Sequence, residues 1–542
     1  MKRVAQIWAQ AGRGASATTI SARAGVLALA TAAALSGAAL AGPEGGDVVT
    51  GDVTITNPTT TTTQIDQTSD RAIINWQSFN IDEGEAAVFN QPGATSVTLN
   101  RIFDQNPSVI AGLLTANGRI ILINANGMVF ENGASVSTAG LIATTADISN
   151  DDFMAGNYRF QTAGAANASI VNKGMITAEE GGVVAFVAPH VQNSGVITAK
   201  LGRVGLGAGN TFVLDLYGDS LISFPVSAEI AQQLVGPDGK PLTSLIEAGG
   251  KIEAGTVQLT ARAARGLVDN VVNVDGEIIA SGVARTGDGV ALTGTSNNEI
   301  QLGNGTYGRY GDAIVVDGGA NGVTIRGTLD ASSATGQGGN VTITGRNVAL
   351  TGATVDASGA TGGGHIKVGH TGEGATRTID ADTVFASQDS TLKADAIEEG
   401  DGGSVVFWSN DATAVNGAIS AKGGASSGDG GFLEVSSKGQ VGFWGSADAS
   451  AANGQAGLFT LDPKNIIISS AGGASTQFSF NQSPTSTLTI NPTSITDSLN
   501  TGTAVTLQAN NDLTVSSNII VNRNAGDGGT LTLQAGRSVF IN

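Results

Sequence analysis

Three histidines, His190, His365 and His370, are the side chains best suited to acid–base or metal chemistry, and their spacing offers little to either. No His-Glu-x-x-His pair occurs, and residues 365 and 370 have opposite parity, which sends their side chains to opposite faces of a regular strand. They read as surface or turn residues, and no metal is expected. Asp147, Asp151 and Asp152 form a carboxylate group of the kind β-helical polysaccharide enzymes set beside Arg or Lys, but a turn role accounts for them more economically. A G-x-G-x-x-G string at Gly303, Gly305 and Gly308 sits among strands and turns, so no helix N-terminus follows it to hold a phosphate. No G-x-S-x-G elbow presents a serine nucleophile, and the Gly-Asp-Gly-Gly strings lack the nine-residue spacing of calcium-binding coils. With 0 Cys, thiolate ligands, thiol nucleophiles and disulfides are excluded together. The residues predict no enzymatic activity and no cofactor.

What must position these side chains is a chain of strands. The 542 residues include 78 Gly, and Lys plus Arg at 27 against Asp plus Glu at 46 leave a net charge of -19, which disfavours a nucleic-acid partner. Apolar residues at 41% suffice for a core. After residue 42, short runs of alternating Val, Ile, Leu and Thr are punctuated by Asn-Gly, Gly-Gly and Asp-Gly turns. A helical period is expected only near 227–234 and around 106–114. The run NKGMITA from Asn172 returns as NSGVITA from Asn193, with Gly174 matching Gly195 and Ile176 matching Ile197. That offset is one coil of a solenoid. DASSATG from Asp330 is echoed by DASGATG from Asp356, each followed by glycines and a strand. The predicted fold is all-β, a right-handed parallel β-helix (β-solenoid) with small extra-helical strands and turns.

The N-terminus carries Lys2, Arg3, Arg13 and Arg23 without an acidic residue, then an apolar run at 26–35 and Ala39-Leu40-Ala41. This layout predicts a signal peptide over 1–41, cleaved between Ala41 and Gly42. The run is shorter than the roughly 20 residues a bilayer span needs.

Four ordered stretches then carry a resemblance. NWQSFNI at 75–81, VFNQPGATSVTLNRI at 88–102, SVIAGLLTANGRIILINANGMVF at 108–130 and GLIATTADISNDDFMAGNYRF at 140–160 closely resemble the filamentous haemagglutinin N-terminal domain. This is the secretion domain of two-partner secretion (TpsA-type) exoproteins, here in the form found in high-molecular-weight adhesins. The match covers about 47–160, with family-like coils to about 285, including LTARAA at 259–264. Ala125 stands where that family usually has the proline of Asn-Pro-Asn-Gly, and Asn126-Gly127 are expected to keep the turn through positive φ. The NPNL segment of the haemagglutinin subgroup is not evident.

The resemblance implies a secretion motif built on Asn75, Trp76, Phe79, Asn100, Arg101, Asn117, Gly118, Asn124, Asn126 and Gly127. It implies a TpsB-type outer-membrane transporter with periplasmic POTRA domains as partner, and an adhesin directed at a receptor on host or neighbouring cells. The protein is expected outside the cell, released or held at the bacterial surface. Expected domains are the signal peptide 1–41, a secretion domain 42–215, a glycine-rich β-helix stem 216–460, and the start of a further repeat region at 461–542. That last region ends on a strand pattern without a polar capping coil, so a longer natural protein is expected. The rival readings are a β-helical carbohydrate-active enzyme and the stem of a contact-dependent growth-inhibition toxin.

Overall fold

The computed structural model describes residues 42–216, 221–236, 240–262, 270–274, 276–280, 289–294, 299–302, 306–307, 313–317, 322–370, 380–471, 488–522 and 528–542. Ala41 and the glycines at 303, 305 and 308 lie outside them. No helix among the described residues is long and apolar enough to cross a membrane.

From residue 62 onward the strands stack in parallel as successive coils with three faces. The first face begins with Thr62–Gln67, Ala86–Asn90 and Leu113–Ala116, the second with Arg71–Trp76, Val97–Ile102 and Arg119–Asn124, and the third with Ser108–Ile110, Met128–Phe130 and Ser169–Asn172. Longer strands such as Met175–Ala188, Val196–Ala208 and Lys251–Ala261 bend through a corner and serve the first two faces in turn. Inward side chains form columns along the stack. Leu114, Val136, Ile176, Ile197, Ile252 and Ile278 succeed one another at matched register, each 2% exposed or less. Burying one such side chain stabilises by about 1.5–3 kcal/mol, so the columns hold the coils together without disulfides. Phe130 and Phe186 stack at 5.7 Å, and Phe443 meets Phe459 at 4.8 Å.

The repeats seen in the sequence are coil-to-coil neighbours. Asn172 pairs with Asn193, Ile176 with Ile197, and Asp330 with Asp356. The Asn172 amide donates to Asn193 Oδ1 at 2.8 Å, an asparagine rung inside the third-face turn. The glycines stack because the corner backbones touch. A Cβ on Gly195 would stand 2.2 Å from the Gly174 carbonyl oxygen, and one on Gly250 2.1 Å from that of Gly195.

The beginning of the stack departs from the parallel pattern. Asp47–Thr50 runs antiparallel to Arg71–Trp76, and Val53–Thr59 folds back antiparallel on Thr62–Gln67. These strands cover the edge that the first coil would otherwise expose. A second departure is an antiparallel sheet outside the coils, made by Asp147–Ile148, Arg159–Thr162, Phe212–Leu214 and Ile222–Ser223. With it comes α1, Asn150–Ala155, capped by Ser149, whose Oγ accepts from the Asp152 amide, and closed by Gly156 at φ +77°. The sheet and helix lie on the outer side of the second face, over Ile73, Leu99, Ile121, Ile142 and Val183. That side is therefore buried as well, which is why IILI and LIAT read as continuous apolar runs there instead of alternating.

Helix placement differs from the sequence expectation. Residues 106–114 contain the strand Ser108–Ile110 and enter Leu113–Ala116, joined through Gly112, whose Cβ would strike two carbonyl oxygens at 2.4 Å. The 227–234 stretch holds only the end of a 3-10 turn, Val226–Ala228, because the Ile230 amide donates to the Arg262 carbonyl and draws the chain onto the stack. Two helices were not expected, α1 and α2, Pro492–Thr501. The latter has Asn491 as N-cap, Pro492 in its first turn and Gly502 at φ +100°. It buries Ile495 and Leu499 and packs on Ser446–Asp448 and Ala504–Ala509.

Candidate functional site: the secretion motif in the early coils

Asn75 and Trp76 end their second-face strand, and parallel register sets them beside Arg101 and Ile102 of the next coil, with Asn124 one coil further beside Ile102. Trp76 is 1% exposed and its Nε1 donates to Asn100 Oδ1 at 2.9 Å. The Asn100 amide in turn donates to the Thr98 and Ile121 carbonyls at 3.3 and 3.4 Å. A buried amide so satisfied costs little, whereas an unpaired one would cost about 1–3 kcal/mol. Phe79 meets the Trp76 ring edge-on at 5.5 Å and stacks on Phe89 at 6.5 Å.

Arg101 points the other way, into the extra-helical layer. Its Nε donates to both oxygens of Asp147 at 2.9 and 3.0 Å, its Nη2 to the Ile148 carbonyl at 2.8 Å, and its Nη1 to Asn150 Oδ1 at 3.2 Å and Asn75 Oδ1 at 3.5 Å. One guanidinium fork thus ties the second coil to the start of α1. Arg71 makes a parallel tie, donating from Nη1 to the Phe153 carbonyl at 3.0 Å and to Tyr158 Oη at 3.1 Å, with both rings 5.7 Å from its guanidinium carbon. Sequence reading missed Arg71, and no local signal marks it, since its partners lie 82 and 87 residues on.

Asn117 and Gly118 stand at the opposite corner. The Asn117 side-chain amide imitates a strand neighbour, accepting from the Gln91 amide at 2.6 Å and donating to the Gln91 carbonyl at 2.7 Å. A Cβ on Gly118 would stand 2.6 Å from Gln91 Oε1.

The Asn124–Gly127 turn closes the second face. Gly127 donates its amide to the Asn124 carbonyl at 3.0 Å, so Ala125 occupies the position of a β-turn that also accepts proline. Asn124 is fully buried. Its Oδ1 accepts from the Asn126 amide at 2.9 Å and its Nδ2 donates to the Asn106 carbonyl at 3.1 Å and to Ser108 Oγ at 3.0 Å. The Asn126 side chain donates to the Asp104 carbonyl at 2.8 Å. Positive φ falls on Gly127 alone, at +104°, and not on Asn126, since Leu201 is the single non-glycine with positive φ among the described residues. Gly42, beyond the expected cleavage point, has φ +90° and lies against Thr63.

The structure therefore joins Asn75, Trp76, Phe79, Asn100, Arg101 and Asn124 into one connected region across three coils and sets Asn117 and Gly118 apart from it. These side chains are structural ties, and their hydrogen bonds leave no nucleophile beside a base. Asp147 is the partner of Arg101, while Asp151 and Asp152 complement the α1 N-terminus. Among the described residues no group of three His, Asp or Glu side chains is placed to hold a metal. His190 is not a surface residue: it is 3% exposed, with Nδ1 3.1 Å from Ser169 Oγ and Nε2 3.9 Å from Glu247 Oε1. His190 beside it is the main cause holding the Glu247 carboxyl below its ordinary range, with Ser244 assisting against the effect of burial. His365 is exposed, with Nδ1 2.8 Å from Ser404 Oγ.

Residues 39–305 match the profile of the TPS secretion domain. A heme/hemopexin-binding protein of Haemophilus influenzae is 32% identical over 226 residues, which cover 41% of this chain and 24% of that protein. A second heme/hemopexin-binding protein from the same species is 28% identical over 305 residues, 51% of this chain and 32% of the relative. The chain thus spans roughly a quarter to a third of the length of these curated relatives. The crystal structure of the HMW1 secretion domain from Haemophilus influenzae superposes with a TM-score of 0.53 at 29% identity, covering 76% of this chain and 99% of that one. Residues 39–305 belong to the TPS secretion domain family, the domain of two-partner secretion proteins.

Proposed function

We propose that this chain is a non-enzymatic exoprotein that leaves a Gram-negative cell through a dedicated outer-membrane transporter and acts outside as a filamentous haemagglutinin-like adhesin. In this reading a signal peptide is removed between Ala41 and Gly42, and the segment up to about 215 engages the periplasmic POTRA domains of a TpsB-type transporter before it folds. The stem follows at about 216–460, and a further repeat region starts at about 461.

The observation that carries the reading is the direction of templating. The first coil is covered by the antiparallel strands Asp47–Thr50 and Val53–Thr59, and each later coil pairs in parallel with the one before it. A chain emerging N-terminus first would therefore find a finished template for every new coil, and folding outside would help draw the rest through without ATP. The secretion-motif residues build that first template: Trp76, Asn100 and Asn124 fix its register, and Arg101 locks it once residues 147–150 arrive.

Adhesion is tested with the secreted chain itself. Purified protein should bind epithelial or bacterial cells saturably, and hosts producing chain and transporter together should adhere where hosts producing the transporter alone do not. Folded protein that fails to bind either cell type would remove the adhesin reading.

A further inference from the structure

The outer side of the second face changes character along the stack. In the early coils it is covered by the extra-helical layer, whereas His365–Val368, Ser404–Ser409, Phe432–Ser437 and Leu458–Asp462 alternate between buried and less buried residues. Register sets their outward side chains in rows. His365, Ser404, Phe432 and Leu458 form one row, Lys367, Val406, Glu434 and Thr460 the next, and Trp408, Ser436 and Asp462 the third.

The first row borders an open groove of about 520 Å³ whose other wall carries Asp401 and Asp429. Its floor is bare backbone, because the stacked Gly403, Gly431 and Gly457 approach so closely that no Cβ fits between them. In the third row Trp408 is half-buried, with Lys438 Nζ 4.9 Å from its ring centroid and the His370 ring at 6.2 Å. Lys438 is held there by its bond to Asn410 Oδ1 at 3.0 Å. Glu434 accepts from Ser436 Oγ at 2.5 Å. Asp462 Oδ1 is buried and has no hydrogen-bond partner, an arrangement that costs free energy unless a donor reaches it.

These features select among ligands. The strands are paired on both sides, so an extended peptide has no free backbone edge to join. Four carboxylates (Asp401, Asp429, Glu434, Asp462) face two ammonium groups (Lys367, Lys438), which disfavours sulfated or phosphorylated polymers. A partly exposed indole beside carboxylate acceptors suits a ligand with apolar C–H faces and many hydroxyl donors. We propose that the outer second face from His365 to Asp462 binds a neutral oligosaccharide, with a sugar ring packed against the exposed part of Trp408 beside Lys438 and hydroxyls donating to Glu434 and Asp462. Successive coils rise about 4.8 Å, so the surface spans about four sugar units. The site goes beyond the export and adhesion reading and stands or falls separately from the transporter.

The full secreted chain is titrated with cellotetraose, maltotetraose, mannotetraose and chitotetraose, and with a heparin tetrasaccharide for comparison, by calorimetry and tryptophan fluorescence. At least one neutral tetrasaccharide should bind with a Kd between about 10 μM and 1 mM. Trp408→Ala should weaken it at least tenfold and Glu434→Gln or Asp462→Asn several-fold, with circular dichroism unchanged, while Trp444→Phe on another part of the coil leaves it intact. The proposal is overturned if no neutral tetrasaccharide binds, if heparin binds in preference, or if well-folded Trp408→Ala binds as the unaltered chain does.

Discussion

Arg101 and Asp147 are 46 residues apart in sequence and joined by two hydrogen bonds of 2.9 and 3.0 Å, the tie by which the insertion carrying α1 is pinned to the second coil. The guanidinium is largely buried and the carboxylate about a third exposed. Arg101→Ala should cost about 2–4 kcal/mol locally, because it leaves acceptors at Asp147 and Ile148 unpaired. Hydrogen exchange across 147–162 should rise while the coils after 251 stay protected. Arg101→Lys should recover only part of the protection, since an ammonium cannot reproduce the fork.

The turn at 124–127 makes a paired prediction. Gly127 has φ +104° and its Cβ would stand 2.4 Å from the Ser169 carbonyl oxygen, so Gly127→Ala should destabilise the early coils by about 3 kcal/mol. Ala125→Pro should be neutral or stabilise by up to about 1 kcal/mol, because that position of the turn accepts proline. Thermal midpoints of the two variants should move in opposite directions or differ by several degrees.

Glycines of the coils differ in what surrounds them. A Cβ on Gly403 would lie 1.8 Å from the Gly364 carbonyl oxygen of the neighbouring coil, whereas one on Gly84, with φ +84°, meets nothing within 4 Å. Gly403→Ala should therefore split the stack locally and expose protease sites in the neighbouring coils. Gly84→Ala should cost only the roughly 1–2 kcal/mol of its left-handed backbone.

Burial, then the neighbouring Glu434, raises the Asp462 carboxyl above its ordinary range. Between the ordinary and the raised value the folded chain holds a proton that the unfolded chain has lost, so this group lowers stability as pH rises through that interval. Asp462→Asn should raise the thermal midpoint at neutral pH, with the gain shrinking as pH falls through that interval and gone below the ordinary aspartate range. A gain that is the same at all pH values would contradict this account of the site.

The solenoid was legible because a coil repeats its inward residues. The run starting at Asn172 and its echo at Asn193 are register partners, and so are Asp330 and Asp356. The helices escaped because α1 and α2 are too short for a hydrophobic period to stand out, although Ser149 with Asp152, and Asn491-Pro492 with Gly502, are capping signals readable in the chain. The residues expected to form a secretion motif stand out in the chain by type, but their geometry does not. Trp76 meets Asn100 only because parallel register brings residues 24 apart together. Arg101 meets Asp147 only because an insertion folds back over the outer side of the second face, and nothing in the local sequence of either residue encodes that return.

The proposed export depends on a partner transporter engaged through the secretion domain at 39–305. The full chain is produced in a Gram-negative host with and without its transporter, and protease-resistant protein in the medium is measured, together with Asn124→Ala and Gly127→Ala variants. Folded protein is expected outside only when the transporter is present, with a strong reduction for both variants. Equal secretion without the transporter, or retention in the periplasm with it, would rule out transporter-dependent export.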